Sequence, residues 1–504
     1  MVNSVTAPIT QPIKPLAGQN TTKTSIFYIN DEHSNVPNME KLKSASDDFD
    51  SFTSSTDTSK LKFSSGDFAM GGDLKLNKLA VAAQNSLGIM ASAEGNHEHD
   101  IDEKDLLEIL KDSKYKLLGL NTNIPSDKEL SKKITKSYIQ EQNGVKYGVI
   151  GLAPFDLTYH LKDADRYKHL NIIDIEKTIP LLQKEIDDLQ KQGINKIVVL
   201  SHAGYTSDVQ IAKAVEGVDV ILGGHSHDLI KGITEGKNLF YSKKSGEPTI
   251  ITQAGKNGDH FGVLNLEFND KGVITSAQNN VSDTADFPKS SLMDFFVNKI
   301  LGPAEVVGSI KSASKYSSSM IVENPHAEFM ADAVRSELNT DIVMLNSGNF
   351  RGGFEVGKLT DRDIFGITPL KNNLGIIKLS EKELVDAIKV GAQSMNTPDN
   401  APGLLQFSGI KYTVSKSGEL KALSFIDKDG KETAIDIKNP NTFKTYTVAL
   451  DDFVAKGGNN YMTNKWDTAE KQFDVDKNKF VIDHIKKSNA PIEIKEDGRI
   501  QIVD

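Results

Sequence analysis

At 504 residues the chain is too long for one ordinary hydrophobic core, and it is expected to fold as two domains joined by a linker. Its net charge of -10 at pH 7 disfavours a nucleic-acid polymer as the main partner, since non-specific affinity for phosphate chains rests on Lys and Arg. The absence of cysteine excludes disulfides, thiolate ligands, cysteine nucleophiles and Cys-linked lipids together, so any metal must be held by N and O atoms.

Residues 1–24 mix prolines with polar residues, lack the basic start and apolar core of a signal peptide, and read as a flexible tail. No run is long and apolar enough to span a bilayer. Residues 26–29 form an apolar strand that runs straight into Asn30-Asp31-Glu32-His33. A polar helix is expected over 39–52 and a Ser/Thr/Asp-rich loop over 51–59, before a second apolar stretch ends in Ser65-Gly66-Asp67. Leu76, Leu79, Ala80, Ala83 and Leu87 fall at helical spacing. The next strand, from Ile89, delivers Gly95-Asn96-His97-Glu98-His99-Asp100. An amide beside an imidazole is poor core packing, because both need polar partners. It is a good way to give a metal one oxygen ligand while keeping an imidazole close to a leaving group.

The βα alternation continues with a helix over 106–110, a strand over 116–120, a strand over 145–152 ending at Pro154, and a helix over 175–189 interrupted early by Pro180. Residues 197–200 then lead into Ser201-His202, and 218–222 into Gly223-Gly224-His225-Ser226-His227. Five apolar runs thus stop at polar clusters. In a layered α/β fold the carboxyl ends of neighbouring strands share a rim, so these clusters are expected to converge. A helical connector with Leu292, Phe295, Phe296, Ile300 and Leu301 breaks at Gly302-Pro303, and the linker is placed over 286–320. A second α/β unit follows. It has a helix over 329–338, a strand over 341–345 running into Asn346-Ser347-Gly348-Asn349-Phe350-Arg351, a helix over 381–395, and strands over 420–426 and 446–450.

Asp31, His33, Asp67, Asn96, His202, His225 and His227 together offer two carboxylates, one amide and four imidazoles. That set suits two transition metals sharing a carboxylate at roughly 3.5–4 Å separation, and zinc, manganese or iron rather than calcium, which takes oxygen-only shells. Singly, an Asp after a strand is a cap or turn residue. The grouping carries the reading, because six of the 11 histidines sit in these clusters.

In this order the clusters resemble the motifs of the calcineurin-like metallophosphoesterases, and more closely the bacterial 5'-nucleotidase/UDP-sugar hydrolase family, whose relatives include ecto-5'-nucleotidase. The match runs from Ser25 to the C-terminus. The resemblance implies a four-layer α/β/β/α metallophosphoesterase domain over 25–285 and a C-terminal α/β substrate-specificity domain over 321–504. It implies that Asp31, His33, Asp67 and His227 hold one divalent metal and Asp67, Asn96, His202 and His225 the other, His227 standing where the family often has Gln. His97 and Asp100 would be the catalytic dyad. His99, where the family usually carries Phe, reads as structural, and His160, His169, His260, His326 and His484 as structural or exposed.

Within the same resemblance, Asn346, Gly348 and Arg351 belong to a phosphate-reading turn like the family's Asn-Gly-Gly-x-x-Arg. Arg351 can grip an anion bidentately. Phe407 and Phe453 would sandwich the nucleobase. Asn459 replaces an aspartate of the family's Gly-Gly-Asp-Gly, so it still accepts a hydrogen bond but carries no charge. The implied activity is release of phosphate from nucleotides, with nucleotide sugars or 2',3'-cyclic nucleotides as further substrates. The alternatives are a phosphoesterase for a non-nucleotide substrate and a non-catalytic nucleotide-binding or adhesion protein. The family's members are mostly exported, although no signal peptide is visible here.

Overall fold

The computed structural model describes residues 20–52, 57–157, 167–370, 372–397, 400–488 and 490–504. The chain divides into two compact units, Met1–Gly302 and Pro303–Asp504.

The first unit is built on two sheets. One has the spatial order Ile274–Asp283, His260–Asn269, Asn20–Ile29, Thr58–Ser64, Ala91–Ala93, Lys116–Leu118, Ile134–Thr135. From Asn20–Ile29 onward its neighbours run parallel. The other has the order Leu239–Tyr241, Pro248–Thr252, Val220–Leu222, Ile197–Ser201, Val145–Leu152, Ser137–Gln142, and its four inner strands are parallel. The run Ile26-Phe27-Tyr28-Ile29 is apolar throughout because both faces of its strand are covered. Ile26 and Tyr28 point to the second sheet, joining Phe63, Ala91, Val149, Val198, Leu200 and Leu222 in one buried cluster. Phe27 and Ile29 point the other way, into a cluster with residues of the helices Val36–Phe52, Leu74–Leu87 and Ser291–Leu301. On the far side of the second sheet, Leu182, Ile186, Leu189 and Ile211 pack on Ile150, Val199 and Ile221. The layering is therefore α/β/β/α, as the sequence leads one to expect.

Two local expectations are corrected. The first strand starts at Asn20, so residues 20–24 are not tail: Thr24 pairs with Leu266, and its hydroxyl meets the Tyr147 hydroxyl at 2.7 Å. The helix Ile175–Lys191 also runs unbroken through Pro180. Burial of Leu182, Ile186 and Leu189 outweighs the single hydrogen bond that Pro180 cannot donate.

In the second unit a five-stranded sheet has the order Leu405–Ser408, Ile342–Asn346, Thr445–Asp451, Asn373–Ser380, Lys471–Asp476. Helices Pro325–Leu338 and Lys477–Lys487 contribute to one hydrophobic cluster with it and Glu381–Ala392 to another. The latter helix opens on a capping box between Ser380 and Glu383. Val306–Ala313, expected within the connector, pairs instead with Gly357–Thr360 and Ile492–Ile494 in a three-stranded sheet. Ile342–Asn346 and Thr445–Asp451 are parallel neighbours, so their carboxyl ends lie side by side. Among the described residues no helix is long and apolar enough to cross a membrane.

Candidate active site

Parallel strands put their carboxyl ends on one edge, and the first sheet delivers Asp31 and His33, Asp67, and Asn96 and His97 from three adjacent strands. The loops are laced together by their backbones: the Asp31 N–H donates to the Gly66 carbonyl at 3.0 Å and the His33 N–H to the Asp67 carbonyl at 2.9 Å. Gly95 is required by proximity, since a Cβ there would lie 2.1 Å from Asp67 Oδ1. The second sheet contributes His202, His225 and His227. His202 donates from Nδ1 to the Ser65 carbonyl at 2.5 Å, and the His225 N–H donates to Asp31 Oδ2 at 3.1 Å. Asp31, His33, Asp67, His225 and His227 all hold φ between 52° and 71°. That left-handed backbone is costly for residues with a Cβ.

Ligand atoms of Asp31, His33 and His227, of Asp31, Asp67 and His202, and of His33, Asp67 and His97 each lie within 4.8 Å of one another. His202 Nε2 is 3.0 Å from Asp67 Oδ2 and 3.7 Å from Asp31 Oδ1. His33 Nε2 lies 3.5 Å from Asp67 Oδ2, and His227 Nε2 lies 3.4 Å from Asp31 Oδ1. Burial alone would raise the Asp31 carboxyl, but His202 and His227 outweigh it and hold it at about 2. Burial likewise opposes ionisation of Asp67, yet His202 and His97 keep it well below the usual range. Burial would lower His202, but Asp67 and Asp31 raise it to about 10, whereas burial prevails at His33 and brings it to about 4.

Two buried carboxylates therefore share a pocket that demands positive charge, and among the described residues no Lys or Arg pairs with either. The chemistry of the donors tests whether a cation suits the pocket. His202 commits its Nδ1 proton to a carbonyl, and the Nε2 atoms of His33 and His202 are buried without a hydrogen-bond partner while facing carboxylate oxygens. The carboxylates call for positive charge at the Nε2 atom of His202, which is why its pKa is raised, and a bound cation would supply that charge with the neutral imidazole lone pair as ligand. The residues fit divalent metal held by N and O ligands.

Asn96 and His225 sit beside this cluster: Asn96 Oδ1 meets His225 Nδ1 at 3.0 Å, and the His225 ring packs on His202 at 5.2 Å. His225 joins none of the tight three-ligand groups among the described residues. His97 Nδ1 is 2.8 Å from Asp100 Oδ2, which also accepts from the Gly71 N–H at 2.7 Å. The His97 N–H donates to Asp67 Oδ1 at 2.9 Å, tying this pair to the carboxylate cluster. His99 is buried, with Nε2 2.7 Å from Glu94 Oε1 and its ring edge-on to Tyr167. His169, His260 and His484 pair with Glu103, Asp283 and Glu337, and His326 bonds backbone at Ser314 and Phe354. His160 lies outside the described residues.

Sequence reasoning missed four supporting residues. Asn30 donates to Asp31 Oδ2 at 2.7 Å, and Asn257 Oδ1 meets His33 Nδ1 at 3.1 Å. Asp156 Oδ2 meets His225 Nε2 at 3.3 Å. Glu98 accepts from the Gly95, Asp67 and Ala69 N–H groups, binding the second and third loops to each other. Only Asn30 and Glu98, inside the motifs themselves, offered a signal.

In the second unit, Asn346 Oδ1 accepts from the Gly348 N–H at 3.0 Å and shapes the turn that ends at Arg351, whose own N–H donates to the Ile367 carbonyl. Phe453 is 42% exposed and lies on the Gly458 backbone, where a Cβ would come within 2.7 Å of the ring. Asn459 is exposed at φ 57°, a conformation that Asn accepts readily. The expectation for Phe407 is overturned: it is 0% exposed, packed edge-on against Tyr412 inside a hydrophobic cluster. A ring with no exposed face cannot stack on a base.

Comparison with known proteins agrees with this geometry. Residues 25–229 match the family model for calcineurin-like phosphoesterase, and residues 306–465 that for the 5'-nucleotidase C-terminal domain. A trifunctional nucleotide phosphoesterase protein of Bacillus subtilis (strain 168) is 23% identical over 95% of this chain, which spans 35% of that protein's length. A probable 5'-nucleotidase of Treponema pallidum (strain Nichols) is 26% identical over 73% of this chain and 72% of its own. The crystal structure of a 5'-nucleotidase precursor from Thermus thermophilus superposes with a TM-score of 0.71 at 21% identity, covering 96% of this chain and 99% of that one. With both halves matched in order, the chain belongs to the family that joins a calcineurin-like phosphoesterase domain to a 5'-nucleotidase C-terminal domain.

Proposed function

We infer that the chain is a two-metal hydrolase of nucleoside 5'-monophosphates, releasing nucleoside and phosphate. The observation that carries this is the pair of buried carboxylates, Asp31 and Asp67, faced by imidazole Nε2 atoms that have no hydrogen-bond partner. In this reading Asp31, His33, Asp67 and His227 hold one divalent cation and Asp67, Asn96, His202 and His225 the other, with zinc, manganese or iron matched to the N/O donors. When bound, such cations supply Lewis-acid charge at the phosphoryl oxygens and lower the pKa of attacking water.

The protein's own groups do the rest. Asp100 fixes the His97 ring through Nδ1, which turns Nε2 into the atom that meets the leaving-group oxygen and gives it a proton. The Arg351 guanidinium, on the second unit, matches a phosphate bidentately, and the exposed Phe453 ring offers a stacking face to a base. Asn459 accepts from a ribose hydroxyl in the same reading. The relative named as a trifunctional nucleotide phosphoesterase supports a range of nucleotide phosphoesters wider than one substrate. The relative named as a snake venom 5'-nucleotidase supports action outside the cytoplasm.

A single aromatic platform in place of two, together with the uncharged Asn459, favours as second reading a phosphoesterase of broader, non-nucleotide range. Phosphate release from nucleoside monophosphates, p-nitrophenyl phosphate and bis(p-nitrophenyl) phosphate, with Mn2+ or with chelator, tests both. Turnover that survives chelation refutes the metal reading. Equal kcat/KM for nucleotide and p-nitrophenyl phosphate favours the second.

A further inference from the structure

Asp451 is the last residue of the strand Thr445–Asp451 and is fully buried. Its Oδ1 accepts from the Val454 N–H at 2.9 Å, capping the short helix Asp452–Ala455 that carries Phe453. Its Oδ2 accepts from Asn349 Nδ2 at 3.0 Å, and Asn349 is itself buried in the turn between Asn346 and Arg351. One carboxylate thus joins the two segments at the carboxyl ends of adjacent parallel strands, where ligands of open α/β sheets bind. A cap alone does not explain it. Ser or Thr would satisfy the Val454 N–H without burying a group that pays for leaving water.

We propose that Asp451 is a positioning residue for substrate selection: it sets the separation of the Phe453 ring from the Arg351 turn, so that this unit favours a ligand presenting an aromatic base and a phosphate at nucleoside-monophosphate spacing over a bare phosphoester. The inference rests on the nucleotide reading above and adds the group that fixes the geometry of recognition. It also gives Asn349 a purpose, since its amide reaches back to the neighbouring strand end rather than outward.

The test uses the full chain with Mn2+ and compares kcat/KM for a purine nucleoside 5'-monophosphate with that for p-nitrophenyl phosphate. Asp451→Ala and Asn349→Ala are each expected to lower this ratio about tenfold, and the double variant no further, because both break one link. Asp451→Asn is expected to restore most of the preference: its amide oxygen still accepts from Val454, and a flipped Asn349 amide can accept from its nitrogen. Calorimetric affinity for the nucleoside monophosphate in chelator should fall in parallel, a readout independent of turnover. Where Asp451→Ala does not fold, Asn349→Ala and Asp451→Asn carry the comparison. A wild-type preference left intact by folded Asp451→Ala and Asn349→Ala, or additive losses in the double variant, overturns the inference alone. A wild type with no preference overturns the nucleotide reading and the inference with it.

Discussion

Asp67 is the residue on which metal binding and stability should turn together. Its carboxylate oxygen lies within 4.8 Å of that of Asp31 and 3.0 Å from His202 Nε2. At an effective dielectric of ~20 the first contact repels by about 3.5 kcal/mol and the second, with His202 protonated, attracts by about 5.5 kcal/mol. Asp67→Asn removes both, so without metal the two losses cancel to within about 2 kcal/mol. With metal they do not cancel. One cation at a hundred times its Kd stabilises the native state by about 2.7 kcal/mol, which for a unit of this size raises Tm by roughly 4 °C. Differential scanning calorimetry of wild type and Asp67→Asn, in EDTA and then in Zn2+, Mn2+ or Ca2+, measures this directly. Wild type should gain several degrees in Zn2+ or Mn2+ and less in Ca2+, and Asp67→Asn should gain almost nothing. A wild-type shift below about 1 °C, or the same shift in the variant, would sink the metal assignment.

His97→Ala is expected to lower kcat by about 10²–10⁴ while keeping the metal-induced Tm shift, and steady-state turnover within about threefold of wild type would remove His97 from the chemistry. Phe453→Ala should raise KM for a nucleoside monophosphate by roughly 5–150-fold, the equivalent of about 1–3 kcal/mol of stacking. Phe407→Ala should instead destabilise the second unit by about 3–5 kcal/mol, seen in the urea midpoint, without a change in KM of the folded fraction. Glu328, buried with its Oε2 3.6 Å from Arg499 Nε, predicts a pH effect of definite sign. Burial, opposed by Arg499 and reinforced by Glu323 and Asp497, raises its carboxyl to about 10. The folded state therefore keeps a proton that the unfolded chain loses above its ordinary value of 4.5, and stability present below 4.5 is lost as pH rises toward 10. Glu328→Gln should stabilise the protein at pH 8 by about 1–3 kcal/mol and have little effect at pH 4, and a variant with the wild-type pH dependence in urea unfolding would refute this.

What the sequence disclosed follows from the geometry of strands. An apolar run buried on both faces announces itself, as Ile26-Phe27-Tyr28-Ile29 does, and whatever follows it must lie on the rim that all parallel strands share. The ligand-type residues met there because each follows such a run. Phe407 misleads because an aromatic before Ser-Gly has the same local pattern whether it faces a ligand or Tyr412, and only the pairing of its strand with Ile342–Asn346 decides. Residues 20–24 resemble tail because a strand of Asn, Thr and Lys carries no apolar signal, and its backbone pairing with 266–269 supplies the order instead. Asp156 and Asn257 reach the site from loops outside any motif, and their roles exist only once His225 and His33 are in place.

Local propensity is broken at the site itself. Five residues there adopt left-handed backbone although none is glycine, each at a cost of about 1 kcal/mol or more, so their sum rivals a good part of a domain's net stability. Glycine would relieve that strain at any of them, but it would remove the nitrogen or oxygen that the turned backbone aims inward. His227 separates the two effects best, because it is the most exposed of the five and meets the cluster at Asp31 and the His33 ring. His227→Gly is expected to leave the metal-free protein as stable as wild type or to stabilise it by up to about 1 kcal/mol, while cutting the Tm gain in Mn2+. If the variant instead loses stability without metal and keeps its full gain with it, the left-handed turn at 227 serves packing rather than ligation, and His227 has no place in the metal shell.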